Sequence, residues 1–313
     1  MSDAIPSWCT FTADDLVFFG SMGGYRVVVT SDGEPSLDDL PPEGDESPSN
    51  PYEDELPADP EVRALVRALV AAHIEQGDDA FNDLYLANRS MLVGASRTCP
   101  AVGRVVIVGL ELGVNHGNAF CANNLGSLYY LGDIVEQDYA RAAALYELAM
   151  EWGCHQSIIN LGYIHEYGRC APPDYQKAYQ YYALAAALAP TCEALYKFGD
   201  MYSRGRAVPR DLRLARALWQ RSYDTAADGG DPEDIAQPAI RLAKLYLREN
   251  AEEAGLAPDA LKALELYQKA EIGLRISVGK GLDYYRGRLQ EAIEGQEAAR
   301  AQLAEGNDEA EKG

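Results

Sequence analysis

From residue 118 onward, apolar and polar positions repeat one helical arrangement. A large apolar residue followed by a small one (Leu125-Gly126, Leu161-Gly162, Phe198-Gly199, Leu242-Ala243) sits on a helix-length apolar stripe. Each stripe is followed by a short polar link and an aspartate, then by alanine at +4, an aromatic at +8 and a small residue at +11. The four sets are Asp138/Ala142/Tyr146/Ala149, Asp174/Ala178/Tyr182/Ala185, Asp211/Ala215/Trp219/Ser222 and Asp259/Ala263/Tyr267/Ala270. These offsets place all three residues after the aspartate on one face of a helix. The aspartates are 36, 37 and 48 residues apart, a period that signals stacked helix pairs. Such an array builds an extended binding surface before it builds an enclosed pocket.

The pattern differs outside the array. Leu16-Val17-Phe18-Phe19 and Tyr25–Thr30 flank the glycine-rich stretch 20–24, which predicts a β-hairpin within an N-terminal segment, 1–30. Residues 31–60 lack apolar periodicity and are rich in Pro, Ser, Asp and Glu, which predicts a disordered acidic linker. Val62, Leu65, Val66, Leu69, Val70 and Ile74 recur at helical steps, so 61–117 is expected to hold capping helices and a degenerate repeat. The repeats occupy 118–273, with a polar loop expected at 224–237. The last division, 274–313, is expected to hold a capping helix over 282–303 and a frayed charged tail.

Charge narrows the partner classes. There are 49 acidic residues against 27 basic ones, a formal net charge of −22. A chain so acidic repels nucleic acid and anionic membranes, so neither is expected as a partner. The amino terminus shows no secretory pattern, and six cysteines occur without a CxxC. Reduced thiols, a cytoplasmic location and a monomeric state are the expectation. Cys121 falls in the repeat slot filled by Ser157 and Ala194, which marks it as a small core residue.

The spacing has a physical reading. An aspartate where the link ends accepts hydrogen bonds from free N–H groups of the following helix and suits its positive end. Small residues let helices approach, and the rings fill the gaps. Gly132, Gly168 and Gly205 stand where the first helix of each pair stops, as left-handed caps. Together these features make the chain resemble the Sel1-like repeat, a relative of the tetratricopeptide repeat, strongly over 121–223 and in part over 238–273. His165 stands where Tyr129, Tyr202 and Tyr246 stand in the other copies, and Ala243 replaces the glycine.

The resemblance implies an all-α, right-handed α/α superhelical solenoid that serves as a protein-interaction adaptor or scaffold. It also implies which residues line the concave wall: Asn123, Asn124, Ser127 and Tyr130 in the first clear repeat, and Asn160, Tyr163, Glu166 and Tyr167 in the second. Tyr196, Lys197, Asp200 and Arg204 follow in the third, and Arg241, Lys244 and Arg248 in the fourth. This wall turns basic toward its carboxyl end, which suits an acidic or carboxylate-terminated segment of another protein. The acidic linker 31–60 is a competitor for the same surface.

Catalytic patterns are weak by comparison. Ser277-Val-Gly-Lys280 fits the S-x-x-K motif of penicillin-binding enzymes, but neither S-D-N nor K-T-G accompanies it. Gly273–Lys280 has the wrong spacing for a phosphate loop and ends on Gly281 instead of Ser or Thr. Cys154, His155, His165 and Cys170 flank one helix as candidate metal ligands, yet His165 fills an aromatic packing slot. No enzyme activity, cofactor or metal is expected. The alternative is a cytoplasmic hydrolase or metal-binding protein whose site carries no recognisable motif.

Overall fold

The structure is a computed structural model that describes residues 11–25, 28–29, 35–36, 52–247 and 251–310. It divides into two compact units, Met1–Ser157 and Ile158–Gly313. The helices are α1 (Ala13–Gly23), α2 (Pro60–Gln76), α3 (Asp78–Ser96), α4 (Pro100–Asn115), α5 (Ala119–Leu131), α6 (Tyr139–Glu151) and α7 (His155–Glu166). They continue with α8 (Tyr175–Leu188), α9 (Cys192–Arg204), α10 (Leu212–Gly229), α11 (Pro232–Tyr246), α12 (Ala260–Gly279) and α13 (Arg286–Ala310). The unit boundary falls inside α7.

The array is built as its spacing requires. Asp138, Asp174, Asp211 and Asp259 are the N-caps of α6, α8, α10 and α12. Asp138 Oδ1 accepts from the N–H groups of Ala140 and Arg141, both at 3.0 Å. Each aspartate also donates its own N–H backward, to the carbonyls of Tyr129, His165, Tyr202 and Tyr246 at 2.9–3.0 Å. One residue therefore closes the link at both ends. Gly132, Gly168 and Gly205 have φ of 71°, 61° and 61°, the left-handed region that glycine enters without strain.

The rings of α6, α8 and α10 lie on the glycines of the helix preceding each. A methyl group on Gly126 would come within 2.8 Å of Tyr146, and one on Gly199 within 2.6 Å of Trp219; Gly162 faces Tyr182 in the same way. The fourth repeat solves the problem differently. Ala243 leaves no such slot on α11, and the Tyr267 ring instead covers Gly295 of α13.

In the first unit, α1 packs on α2 and α4 and buries Leu16, Phe18, Phe19 and Met22, with the Phe19 ring 6.2 Å from that of Phe81. The expected strand at Leu16–Phe19 is therefore helix. Thr12 and Asp15 form a reciprocal capping box, and Gly24, at φ 85°, ends the helix. The glycine run read as a hairpin link is the last turn and its cap. The described strands are only two residues long: Val28 and Val29 pair antiparallel with Ser36 and Pro35. Residues 37–51 of the expected acidic linker lie outside the described residues, while 53–55 form a 3-10 turn and Asp59 caps α2.

Two further expectations change. Residues 224–237, read as a polar loop, are mostly helix: Gly230 ends α10, and Asp231 caps α11 through the N–H of Glu233. The terminal helix begins at Arg286 after a 3-10 turn and runs through Ala310, past the expected end at residue 303. No helix among the described residues is long and apolar enough to cross a membrane.

Candidate functional site

Residues that differ between repeat copies concentrate charge on α7, α9, α11 and α13 of the second unit. Relative to the large apolar residue of each copy, Lys197 and Arg241 occupy the preceding position, and Asp200 lies two positions after Phe198. This register sets a cation of one repeat against a carboxylate of the repeat before it. Lys197 Nζ donates to Glu166 Oε2 at 2.5 Å. Arg241 grips Asp200 with Nε and Nη2 at 2.6 and 2.8 Å. The side chains are nearly sealed, at 0% exposure for Glu166, 3% for Lys197 and Asp200, and 8% for Arg241.

Both carboxylates have further donors. Glu166 accepts from Arg204 at 3.1 Å, Arg206 at 2.7 Å and the Tyr182 hydroxyl at 2.9 Å. Asp200 accepts from the Trp219 indole N–H at 3.2 Å and lies 3.5 Å from Arg204. Burial alone would raise the Asp200 carboxyl, but Arg241, then Lys197 and Arg204, outweigh it and bring it down to about 2. Lys197 stands over the rings of Tyr163, Tyr167 and Tyr182 at 4.5–5.2 Å. These tyrosines form a cage already filled by the chain's own ammonium group.

The outer edge is different. Lys244 pairs with Glu291, which also accepts from Arg288 at 2.7 Å. Lys197, Arg204, Arg206, Arg241, Lys244 and Arg288 gather around Glu166, Asp200 and Glu291. Burial lowers Lys244 to about 8, and the neighbouring Arg288 and Arg241 add to the shift. Arg288 is lowered too, by burial and then by Arg241. Cationic side chains are thus gathered at a partly exposed rim, inside a chain of −22.

The residues assigned to the wall from sequence separate into groups. Glu166, Tyr196, Lys197, Asp200 and Arg241 are buried and joined to one another or to neighbouring helices, so Lys197 and Arg241 are structural ion-pair members before they are ligands. Tyr163 donates to Glu193 at 2.6 Å and stacks on the exposed Tyr167 at 5.8 Å. Arg204 and Lys244 reach the rim; Asn160 is half-buried; Arg248 lies outside the described residues. In the first unit Asn124 donates to Asn82 at 2.6 Å, and Asn123 accepts from Ser157 at 3.2 Å, both inside the fold. Ser127 meets the Tyr146 hydroxyl at 3.3 Å, and Tyr130 packs edge-on against Tyr139.

Sequence reasoning missed Arg288 and Glu291, which arrive from a helix with no repeat pattern. Of the catalytic patterns, Ser277 is buried and donates to Glu233 at 2.8 Å, and Lys280 pairs with the same carboxylate. Gly273 packs against the Pro232 carbonyl, where no phosphate has room. His165 stacks on Tyr181, as its aromatic slot implies.

Successive helix pairs joined by an aspartate-capped link, with ring-on-glycine packing inside the first three, define a helical-repeat protein. The chain carries four Sel1 repeats: the Sel1 repeat family model matches residues 119–151, 155–190, 192–224 and 239–271. Over 136 residues, 44% of this chain, it is 39% identical to the ERAD-associated E3 ubiquitin-protein ligase component HRD3A of Arabidopsis thaliana. Over 97 residues, 31% of the chain, it is 30% identical to human Protein sel-1 homolog 2. These matches span 19% and 14% of the relatives' own lengths. A Sel1 repeat protein from Oxalobacter formigenes is similar in structure at TM-score 0.45 and 20% identity, over 67% of this chain and 82% of that one. The protective antigen c5321 of uropathogenic Escherichia coli is similar at TM-score 0.48 and 20% identity, over 77% and 49%.

Proposed function

We propose that this chain is a non-catalytic adaptor, and that the cationic rim of its second unit holds a carboxylate-bearing segment of a partner protein. The observation that carries this reading is the gathering of Arg204, Arg241, Lys244 and Arg288 at one edge, with Lys244 and Arg288 each pushed down by burial and by neighbouring positive charge. An incoming carboxylate removes that repulsion, and the guanidinium groups bind it in forked geometry. Tyr167 and Arg204 stand beside the same rim and would contact the segment's flanks. Four Sel1 repeats and similarity to a protein named as a ligase component support a role inside a multi-protein complex.

The test is binding of a labelled Asp/Glu-rich peptide with a free C-terminus, measured by anisotropy in low salt. Wild type should bind, and Lys244→Glu with Arg288→Glu should abolish binding while helicity is kept. Added salt should weaken binding, since exposed charges are screened over about 10 Å at 0.1 M. Equal binding by wild type and the charge-reversed variant would remove the rim from the reading.

A further inference from the structure

The first unit holds a cluster that the repeat pattern does not explain. His73 lies in the last turn of α2, Asp78 is the first residue of α3, and His116 caps the C-terminal end of α4. Gly77, at φ 92°, makes the turn that brings Asp78 back beside His73. His73 Nδ1 is 3.1 Å from Asp78 Oδ1, and His116 Nδ1 is 3.0 Å from Oδ2. The two imidazoles are nearly parallel, 11° apart, with centroids separated by 6.0 Å. One donor atom from each of the three residues lies within 4.8 Å of the others.

A second observation points into the cluster. The His73 side chain is 5% exposed, yet its Nδ1 has no hydrogen-bond partner. The 3.1 Å approach to Asp78 is close enough for a bond but not aligned for one. A buried polar atom left in this way costs about 1–3 kcal/mol. Phe19 and Phe81 stand edge-on to the His73 ring at 5.5 and 6.0 Å, which leaves the inner side dry. The outer side is open, because the His116 side chain is 57% exposed.

We propose that His73, Asp78 and His116 form a binding site for a divalent first-row transition-metal ion, with zinc the expected occupant. Two imidazoles and a carboxylate are a nitrogen/oxygen set suited to such ions and not to calcium or magnesium. Metal–ligand bonds of about 2.0–2.1 Å put tetrahedral donors about 3.3 Å apart; the two nitrogen–oxygen separations, 3.0 and 3.1 Å, lie close to that, and all three donor atoms fall within 4.8 Å of one another, so the exposed His116 ring closes the set by a side-chain shift. Three protein ligands leave a fourth position for water on the exposed side. A bound ion ties the ends of α2 and α4 to the start of α3 and uses the otherwise unpartnered Nδ1 of His73.

The experiment titrates the full chain with Zn2+ by calorimetry and with Co2+ by visible absorption. One equivalent should bind, Co2+ should give the intense bands of a four-coordinate site, and Zn2+ should raise the thermal transition. His116→Ala, at an exposed position, and Asp78→Asn should each weaken binding at least about tenfold and remove the thermal shift. His155→Ala, an exposed histidine elsewhere, should change nothing. Failure to bind one equivalent, or unchanged affinity in both His116→Ala and Asp78→Asn, overturns the assignment. A loss caused equally by His155→Ala overturns it as well.

Discussion

Replacing Asp200 by alanine tests whether the buried charges hold adjacent repeats together. The substitution removes both acceptors of the Arg241 fork, at 2.6 and 2.8 Å, and leaves a guanidinium that is only 8% exposed. Stranding one member of a buried pair costs about 3–5 kcal/mol. The lower end applies here, because Arg241 keeps the Gln237 carbonyl and side-chain oxygen at 2.8 and 2.9 Å, and Trp219 keeps the Tyr196 carbonyl at 3.1 Å. About 3 kcal/mol is roughly a hundredfold in an opening equilibrium. Amides of α9 and α11 should therefore exchange about a hundred times faster, while those of α3 and α4 in the other unit keep their protection. Hydrogen exchange read by mass spectrometry suits a repeat array, whose denaturation need not be all-or-none. The double variant Asp200→Leu with Arg241→Met should recover most of the loss, since an apolar pair needs no charge compensation.

The same contact sets a pH dependence. Asp200 titrates near 2 in the fold against an ordinary value of 3.8. Its contribution is complete above 3.8, worth about 2 kcal/mol, and is lost as pH falls toward 2. Asp200→Ala should flatten that acid limb. A change below about 0.5 kcal/mol, or no recovery in the double variant, would refute the claim that this pair joins the third and fourth repeats.

Three further outcomes follow from the geometry. Gly126→Ala drives a methyl group into the Tyr146 ring, and overpacking of this kind costs about 1–3 kcal/mol, read as a lower urea midpoint that Tyr146→Leu partly restores. Asp174→Ala removes the cap to the Lys177 N–H at 2.9 Å and should cost about 1 kcal/mol, seen as faster exchange in the first turn of α8. Glu111 is raised to about 7 by burial and by the nearby Asp15, with Arg141 opposing. Its stabilising contribution is therefore complete below pH 4.5 and lost as pH rises through 7, a change on the order of 3 kcal/mol. Glu111→Gln should make thermal stability between pH 5 and 8 flatter than in wild type.

What the sequence determined by itself was the repeat unit. Asp138, Asp174, Asp211 and Asp259 cap helices, and Gly132, Gly168 and Gly205 end them, because both jobs depend on backbone groups a few residues away. Gly126, Gly162 and Gly199 lie under rings of the next helix for the same reason: a fixed link length carries the register across. Leu16–Phe19 was misread because a four-residue apolar run fits a strand or a buried helix equally well. Only the surrounding core, together with the Thr12–Asp15 cap, decides between them. The charged residues show the larger gap. Lys197 and Arg241 read as solvated or ligand-binding cations, yet each is buried against a carboxylate about 31 or 41 residues away. Arg288 joins them from a helix outside the repeat pattern, and His73 and His116 meet across Asp78 from separate elements. Capping and turn formation are local, so spacing along the chain reveals them. Whether a charge faces water, a partner carboxylate or another donor depends on which helices stack beside it, and that was decided only when the repeats packed.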